Sequence, residues 1–183
     1  MTRHDFEEIL AEDAARSDNY RPSLKDKLLS NESWYIFHFI RHLRYVEYYK
    51  EKGALYKILY LYHFLKLKRL SFKLHITIYP NTIAGGLKLY HVGDFTHVGS
   101  NCRIGRNCTI LPGVVFGNKY ENETIGETIV GDNCYFGLGA RIFGPLTIGN
   151  NVIVGANSVI IKDIPDNAIV AGAPAKIIRI KEQ

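Results

Sequence analysis

From Val92 the chain can be ruled into hexads that each open on a large apolar residue: Val92, Val98, Ile104, Ile110 and Phe116. The beat resumes at Val130 and continues through Phe136, Ile142, Ile148, Val154 and Ile160. The residue after the opener is glycine in eight of these eleven hexads, as in Ile104-Gly105 and Ile148-Gly149. Four places after the opener stands a small or β-branched residue: Thr96, Cys102, Cys108, Val114, Cys134, Ala140, Val152 or Ser158. A period of six is too short for a helical repeat, and it predicts a parallel β-helix of stacked coils.

The beat is interrupted once. Phe116 and Val130 are 14 residues apart, which is one hexad plus eight residues. A solenoid accepts extra residues only as a loop thrown outward, so the polar segment 118–127 is predicted to leave the coils, where such loops commonly carry a binding face.

Before the coils the apolar spacing changes to three and four. Phe6, Ile9, Leu10 and Ala14 predict a helix over 3–17, broken by Asp18-Asn19-Tyr20-Arg21-Pro22. Pro22-Ser23 opens a short second helix. Ser33 is the expected N-cap of a helix over 34–49 that Gly53 ends, and a further helix follows over about 54–70. Ile76, Ile78 and Ile83 begin the β region out of strict register. The chain therefore divides into a helical region, 1–73, and a β-helix with its C-terminal tail, 74–183.

Composition changes this picture little. With 46% hydrophobic residues the chain can bury a core, and a net charge of +5 permits an anionic ligand without demanding nucleic acid. Met1 is followed by polar residues, and no run of about 18 apolar residues occurs, so neither a leader nor a spanning helix is expected and the expected compartment is the cytoplasm. The three cysteines share one place in the hexad and no metal spacing, so they read as inward packing residues; no metal is expected. Residues 34–73 mix aromatics with Lys and Arg. They read as a helical cap packed on the first coil and on neighbouring subunits. The alternative is an amphipathic surface touching an anionic inner-membrane surface or a lipid-linked substrate.

The hexads, the segments Ile78-Tyr79-Pro80 and Gly86-Leu87-Lys88-Leu89-Tyr90-His91, and the ending Val170-Ala171-Gly172-Ala173-Pro174-Ala175-Lys176 resemble the left-handed β-helix acyltransferases. The most similar branch is the serine acetyltransferase-like group, which includes polysaccharide O-acetyltransferases. The resemblance implies a left-handed coil, a homotrimer with sites between subunits, acetyl-CoA as co-substrate, and His91 as general base. Tyr90, Asp94 and His97 would line the acceptor side with loop residues Glu121 and Glu123, and Glu121, Glu123 or Glu127 would orient His91. Gly117, Asn118, Leu138 and Ala156 match positions whose backbone meets the pantetheine arm, and Lys162 and Lys176 match positions that meet CoA phosphates. The chain departs from the serine enzymes on the acceptor side. Thr77 and Tyr90 stand where they carry aspartates, and Ile125-Gly126-Glu127-Thr128-Ile129 lacks their arginine-histidine pair. An amino acid needs ionic partners for both its charges, whereas a sugar hydroxyl does not. The expected acceptor is therefore a sugar or polysaccharide precursor, with serine as the alternative and a non-catalytic β-helix scaffold or binding protein as the second.

Overall fold

The computed structural model describes residues 1–119 and 126–182. Four helices come first: α1 (Arg3–Arg16), α2 (Leu24–Leu28), α3 (Glu32–Lys50) and α4 (Lys57–Leu74), the last preceded by a 3-10 turn, Ala54–Tyr56. Thr2 and Ser23 each form a capping box, with Asp5 and Asp26 returning a carboxylate to the cap backbone. The cap of α3 is Asn31, whose side chain accepts from Ser33 N, so Ser33 lies inside the helix that it was expected to start. His75, in the left-handed conformation (φ 58°), ends α4 and turns the chain into the coils.

The coils form a three-faced parallel β-helix. One face contains β1 (Ile76–Ile78), β3 (Thr96–Val98), β6 (Val115–Asn118), β9 (Arg141–Gly144) and β12 (Val159–Ile160). The second contains β4 (Cys102–Ile104), β7 (Thr128–Val130) and β10 (Leu146–Ile148). The third contains β2 (Lys88–Leu89), β5 (Thr109–Ile110), β8 (Tyr135–Phe136), β11 (Ile153–Val154) and β13 (Ala168–Gly172), with β14 (Ala175–Ile180) added antiparallel. Arg141 pairs with Val159 and Tyr135 with Ile153, a step of 18 residues, or three hexads, per coil. Val115 pairs with Arg141, a step of 26, which locates the eight extra residues between β6 and β7, at the corner joining the first face to the second. Asn101 Nδ2 donates to Asn118 Oδ1 (2.9 Å) and to Gly126 O (3.1 Å), tying the two ends of that insertion together.

The inward residues behave as the hexad predicts. Openers such as Ile110, Phe136 and Ile148 and the small residues four places on are all buried, including Cys102, Cys108 and Cys134, which are free thiols. Burial pushes the Cys102 thiol up to about 11. The glycine after the opener is required by coil stacking: a Cβ at Gly137 would stand 2.7 Å from Ala156 N and 2.8 Å from Val154 O. Left-handed turns fall mostly to asparagine, as at Asn107, Asn133 and Asn151, whose short side chains tolerate positive φ.

The register departs from the beat at one corner. Leu89 pairs with Ile110 and Val98 with Phe116. The chain thus takes nine residues from Leu89 to Val98 where the next coil takes six from Ile110 to Phe116. Leu89, buried, fills the inward place; Val92, expected as a hexad opener, is only half-buried in the enlarged corner. Three extra residues bulge outward, and His91 is among the residues they carry.

The open end of the first coil is sealed by a buried ionic cluster. Arg44, 1% exposed, donates to the carbonyls of Ile83 (2.7 Å) and Ala84 (2.8 Å), and to Asp13 (2.8 Å) and Glu47 (3.1 Å). Asp13 in turn accepts from Leu87 N (2.9 Å), and Glu47 accepts from Asn81 N (2.7 Å). Burial acts to lower the Arg44 pKa, but the flanking carboxylates of Glu47 and Asp13 outweigh it and hold the guanidinium above its ordinary range. Four backbone groups at this edge, Asn81 N, Ile83 O, Ala84 O and Leu87 N, thus meet a charged partner, as buried polar groups require.

Candidate active site

His91 sits on the enlarged corner with a backbone φ of 54°, followed by Gly93 at φ 121°. The turn lifts the imidazole off the coil, and its Nδ1 lies 2.7 Å from Oε1 of Glu32. A carboxylate only accepts, so Nδ1–H donates to Glu32 and a neutral ring keeps its lone pair on Nε2. Glu32 occupies the first turn of α3, where a carboxylate also complements the helix N-terminus. No local pattern could have pointed to it: Glu32 and His91 are 59 residues apart. Glu127, considered as an orienting group, instead pairs with Arg103 (3.1 Å). Glu121 and Glu123 lie outside the described residues.

A cleft of about 350 Å³ opens beside this pair. Its walls include Tyr90 and Ser33, the chain neighbours of His91 and Glu32, together with Asp18, Tyr20, Phe37 and Lys88. The Lys88 ammonium lies 4.6 Å from the centre of the Tyr90 ring. Sequence reasoning missed every member of this cleft except Tyr90, because its other walls are gathered from α1–α2, α3 and β2.

Asp94 takes a different position from Tyr90. Its carboxylate accepts from Phe95 N (3.0 Å) and lies over Gly113 of the next coil, where a Cβ would come within 2.7 Å of it. His97 lies on the outer surface of the first face, stacked on Phe95 (5.8 Å) and edge-on to Tyr79 (6.1 Å). Burial among these rings lowers its pKa.

The remaining candidates fall on two corners. The corner of His91 joins the third face to the first. Below it in successive coils come Gly113, then Leu138, then Ala156, with Asn157 N donating to Leu138 O (2.8 Å). With a strand spacing of about 4.8 Å, Leu138 and Ala156 lie roughly 10 and 14 Å along the axis from the coil of His91. Lys176 pairs with Ala171 of β13, which runs up to this same corner. Gly117, Asn118 and Lys162 stand on the other edge of the first face, at the corner that carries the insertion. Among the described residues no group of three or more His, Cys, Asp or Glu could hold a metal.

The family described as hexapeptide repeat of succinyl-transferase matches residues 96–119, 127–162 and 145–172. The serine acetyltransferase of Staphylococcus xylosus is 33% identical over 104 residues, covering 57% of this chain and 48% of that protein. The chain thus spans about half the length of that relative. The structure of a Neisseria gonorrhoeae serine acetyltransferase in complex with serine superposes with a TM-score of 0.69 at 25% identity, covering 97% of this chain and 70% of that one. That of a Brucella abortus serine acetyltransferase in complex with coenzyme A gives 0.66 at 26%, covering 98% and 68%. Repeat, coil geometry and these likenesses agree: the chain is a hexapeptide-repeat protein of left-handed β-helix fold, similar over its coils to the serine acetyltransferases.

Proposed function

We propose that this chain is an acetyl-CoA-dependent O-acetyltransferase with His91 as general base. The observation that carries the reading is the Glu32–His91 hydrogen bond of 2.7 Å; the chain neighbours of the pair, Ser33 and Tyr90, line a cleft. An alcohol is a poor nucleophile at neutral pH. In the proposed step Nε2 takes the hydroxyl proton as the acceptor oxygen attacks the thioester carbonyl. The tetrahedral adduct then collapses, the C–S bond breaks, and the CoA thiolate leaves with the proton held on Nε2. Proton transfer of this kind contributes ~10²–10⁴ in rate, and holding both substrates together supplies much of the rest. No covalent intermediate is required, in keeping with three cysteines sealed in the core.

The two corners support a shared site. The His91 side chain is 70% exposed in the single chain, too open for a reaction that must exclude water. In a homotrimer, the corner with His91, Leu138, Ala156 and Lys176 would face a neighbour's corner with Gly117, Asn118 and Lys162. Acetyl-CoA would lie between them, its phosphates toward the lysines.

For the acceptor, the named relatives support serine. The cleft adds one carboxylate and one ammonium, Asp18 and Lys88, the two charges that a zwitterion calls for. A sugar hydroxyl is the second reading. It rests on Thr77 and Tyr90 where the serine enzymes carry acids, on the missing arginine-histidine pair, and on the aromatic walls Tyr20, Phe37 and Tyr90. Thiol release from acetyl-CoA with L-serine, set against nucleotide sugars and oligosaccharides, separates the two. His91→Ala should abolish release while calorimetry still detects acetyl-CoA binding. Near-normal turnover in that variant removes His91 as base, and failure of the native chain to bind acetyl-CoA leaves the scaffold reading.

A further inference from the structure

We infer that the outer face of α4 is a docking surface for an anionic lipid bilayer, on which the helix lies flat. This rests on the helical region alone and is independent of the transferase reading. Ile58, Tyr62, Leu65 and Phe72 recur at the spacing of one helical face, and they are 80, 52, 48 and 87% exposed. The opposite face is the packed one: Leu67 and Leu74 are buried against α3 and β1. The helix therefore uses one apolar stripe inward and presents a second outward.

Charge decides what covers it. Over its 18 residues α4 carries Lys57, Lys66, Lys68, Arg69 and Lys73 and no acidic residue. At 100° per residue Lys66 and Lys73 flank the outward stripe on one side and Lys57 and Lys68 on the other, with Arg69 inside it. Two copies pressed face to face would set like charges opposite one another, which opposes self-association. An anionic leaflet answers both features at once. Apolar side chains enter the acyl boundary while long basic side chains reach back to the headgroups. No described helix is long and apolar enough to cross a membrane, so the helix would lie on the surface rather than span it.

The stripe continues onto a neighbouring element. The Lys73 ammonium lies 3.9 Å from the centre of the Tyr35 ring, Tyr35 packs edge-on to Trp34 (5.1 Å), and Lys27 of α2 approaches Trp34 (5.9 Å). On α2, Leu24 and Leu28 are 80 and 84% exposed beside Lys25 and Lys27. A second basic and apolar patch thus adjoins the first across a tryptophan and a tyrosine, residue types that favour the headgroup region.

The test is co-sedimentation of the full chain with phosphatidylcholine vesicles containing or lacking about one third phosphatidylglycerol. The expected result is binding to the anionic vesicles alone, weakened as salt rises from about 0.1 to about 0.5 M. Ile58→Glu/Phe72→Glu and Lys66→Glu/Arg69→Glu should each cut vesicle partition at least about tenfold, with unchanged helix content and melting. All four side chains lie outside the candidate active site. Absence of binding, or binding indifferent to lipid charge or to both double variants, overturns the proposal. So does a native chain whose mass by sedimentation equilibrium falls in Ile58→Glu/Phe72→Glu, since a second copy then covers the face.

Discussion

At the scale of single residues, Glu32 is what the structure adds to the site. It holds the His91 ring by Nδ1 and so leaves Nε2 as the free nitrogen. If it acts through the ring, its loss should lower kcat and leave acetyl-CoA affinity alone. Glu32→Gln is expected to cost about 10–100-fold in kcat, a part of the ~10²–10⁴ available to general base catalysis, with Glu32→Asp recovering some of it. Steady-state kinetics with varied acetyl-CoA check this; a rise in KM for acetyl-CoA with unchanged kcat would mean that Glu32 does not position the base. His91 was singled out in the sequence because its segment resembles a family motif. Glu32 was not, since its only link to His91 is made by packing α3 against the coils.

At the scale of elements, the helical pair α3–α4 contains a device that the aromatic content of the sequence concealed. His42 and His63 face each other with their Nδ1 atoms 2.9 Å apart, walled by Tyr45, Tyr49 and Tyr62. One nitrogen must accept, so at least one ring is neutral. Burial, aided by His63, lowers His42 to about 4, and burial with Arg41 nearby lowers His63. Both rings have folded pKa values below the unfolded value near 6.5, so the unfolded chain binds more protons at mildly acid pH. Stability should be full above about pH 6.5 and fall as pH drops through the interval toward 4, by about 1–2 kcal/mol for rings still partly in contact with water. Urea titrations at pH 7 and pH 5 measure it, and His42→Gln should flatten the difference. Equal stability at both pH values would show that the pair carries no such cost. The helices themselves were largely predictable from spacing, but α3 begins at Glu32 and the last helix runs Lys57–Leu74 rather than over 54–70. The shift at the start of α3 follows from Asn31, a better-placed cap than Ser33.

At the scale of the whole molecule, Arg44 joins the two regions. Its guanidinium touches α1 through Asp13, its own helix through Glu47, and the first coil through two carbonyls. Arg44→Ala would strand two buried carboxylates and both carbonyls at once. A loss of about 3–5 kcal/mol is expected, read from the denaturant midpoint. A loss below about 1 kcal/mol would mean that α1 and the coil hold together without this cluster.

The hexad by itself determined the coils. Its period counts residues around three faces, its small positions place the cysteines inward, and its one interruption locates the insertion. These are local consequences of a repeat in which every coil meets the same neighbours. Even there the count failed at Val92, because the beat continues on paper across a corner that the register shows to be three residues too long. Only the tertiary structure decided which residues gather around His91. Glu32 reaches His91 from the start of α3, and Asp18 reaches the neighbouring cleft of Lys88 and Tyr90 from the end of α1, when the helical cap closes the first coil; no periodicity along the chain records a meeting made between elements.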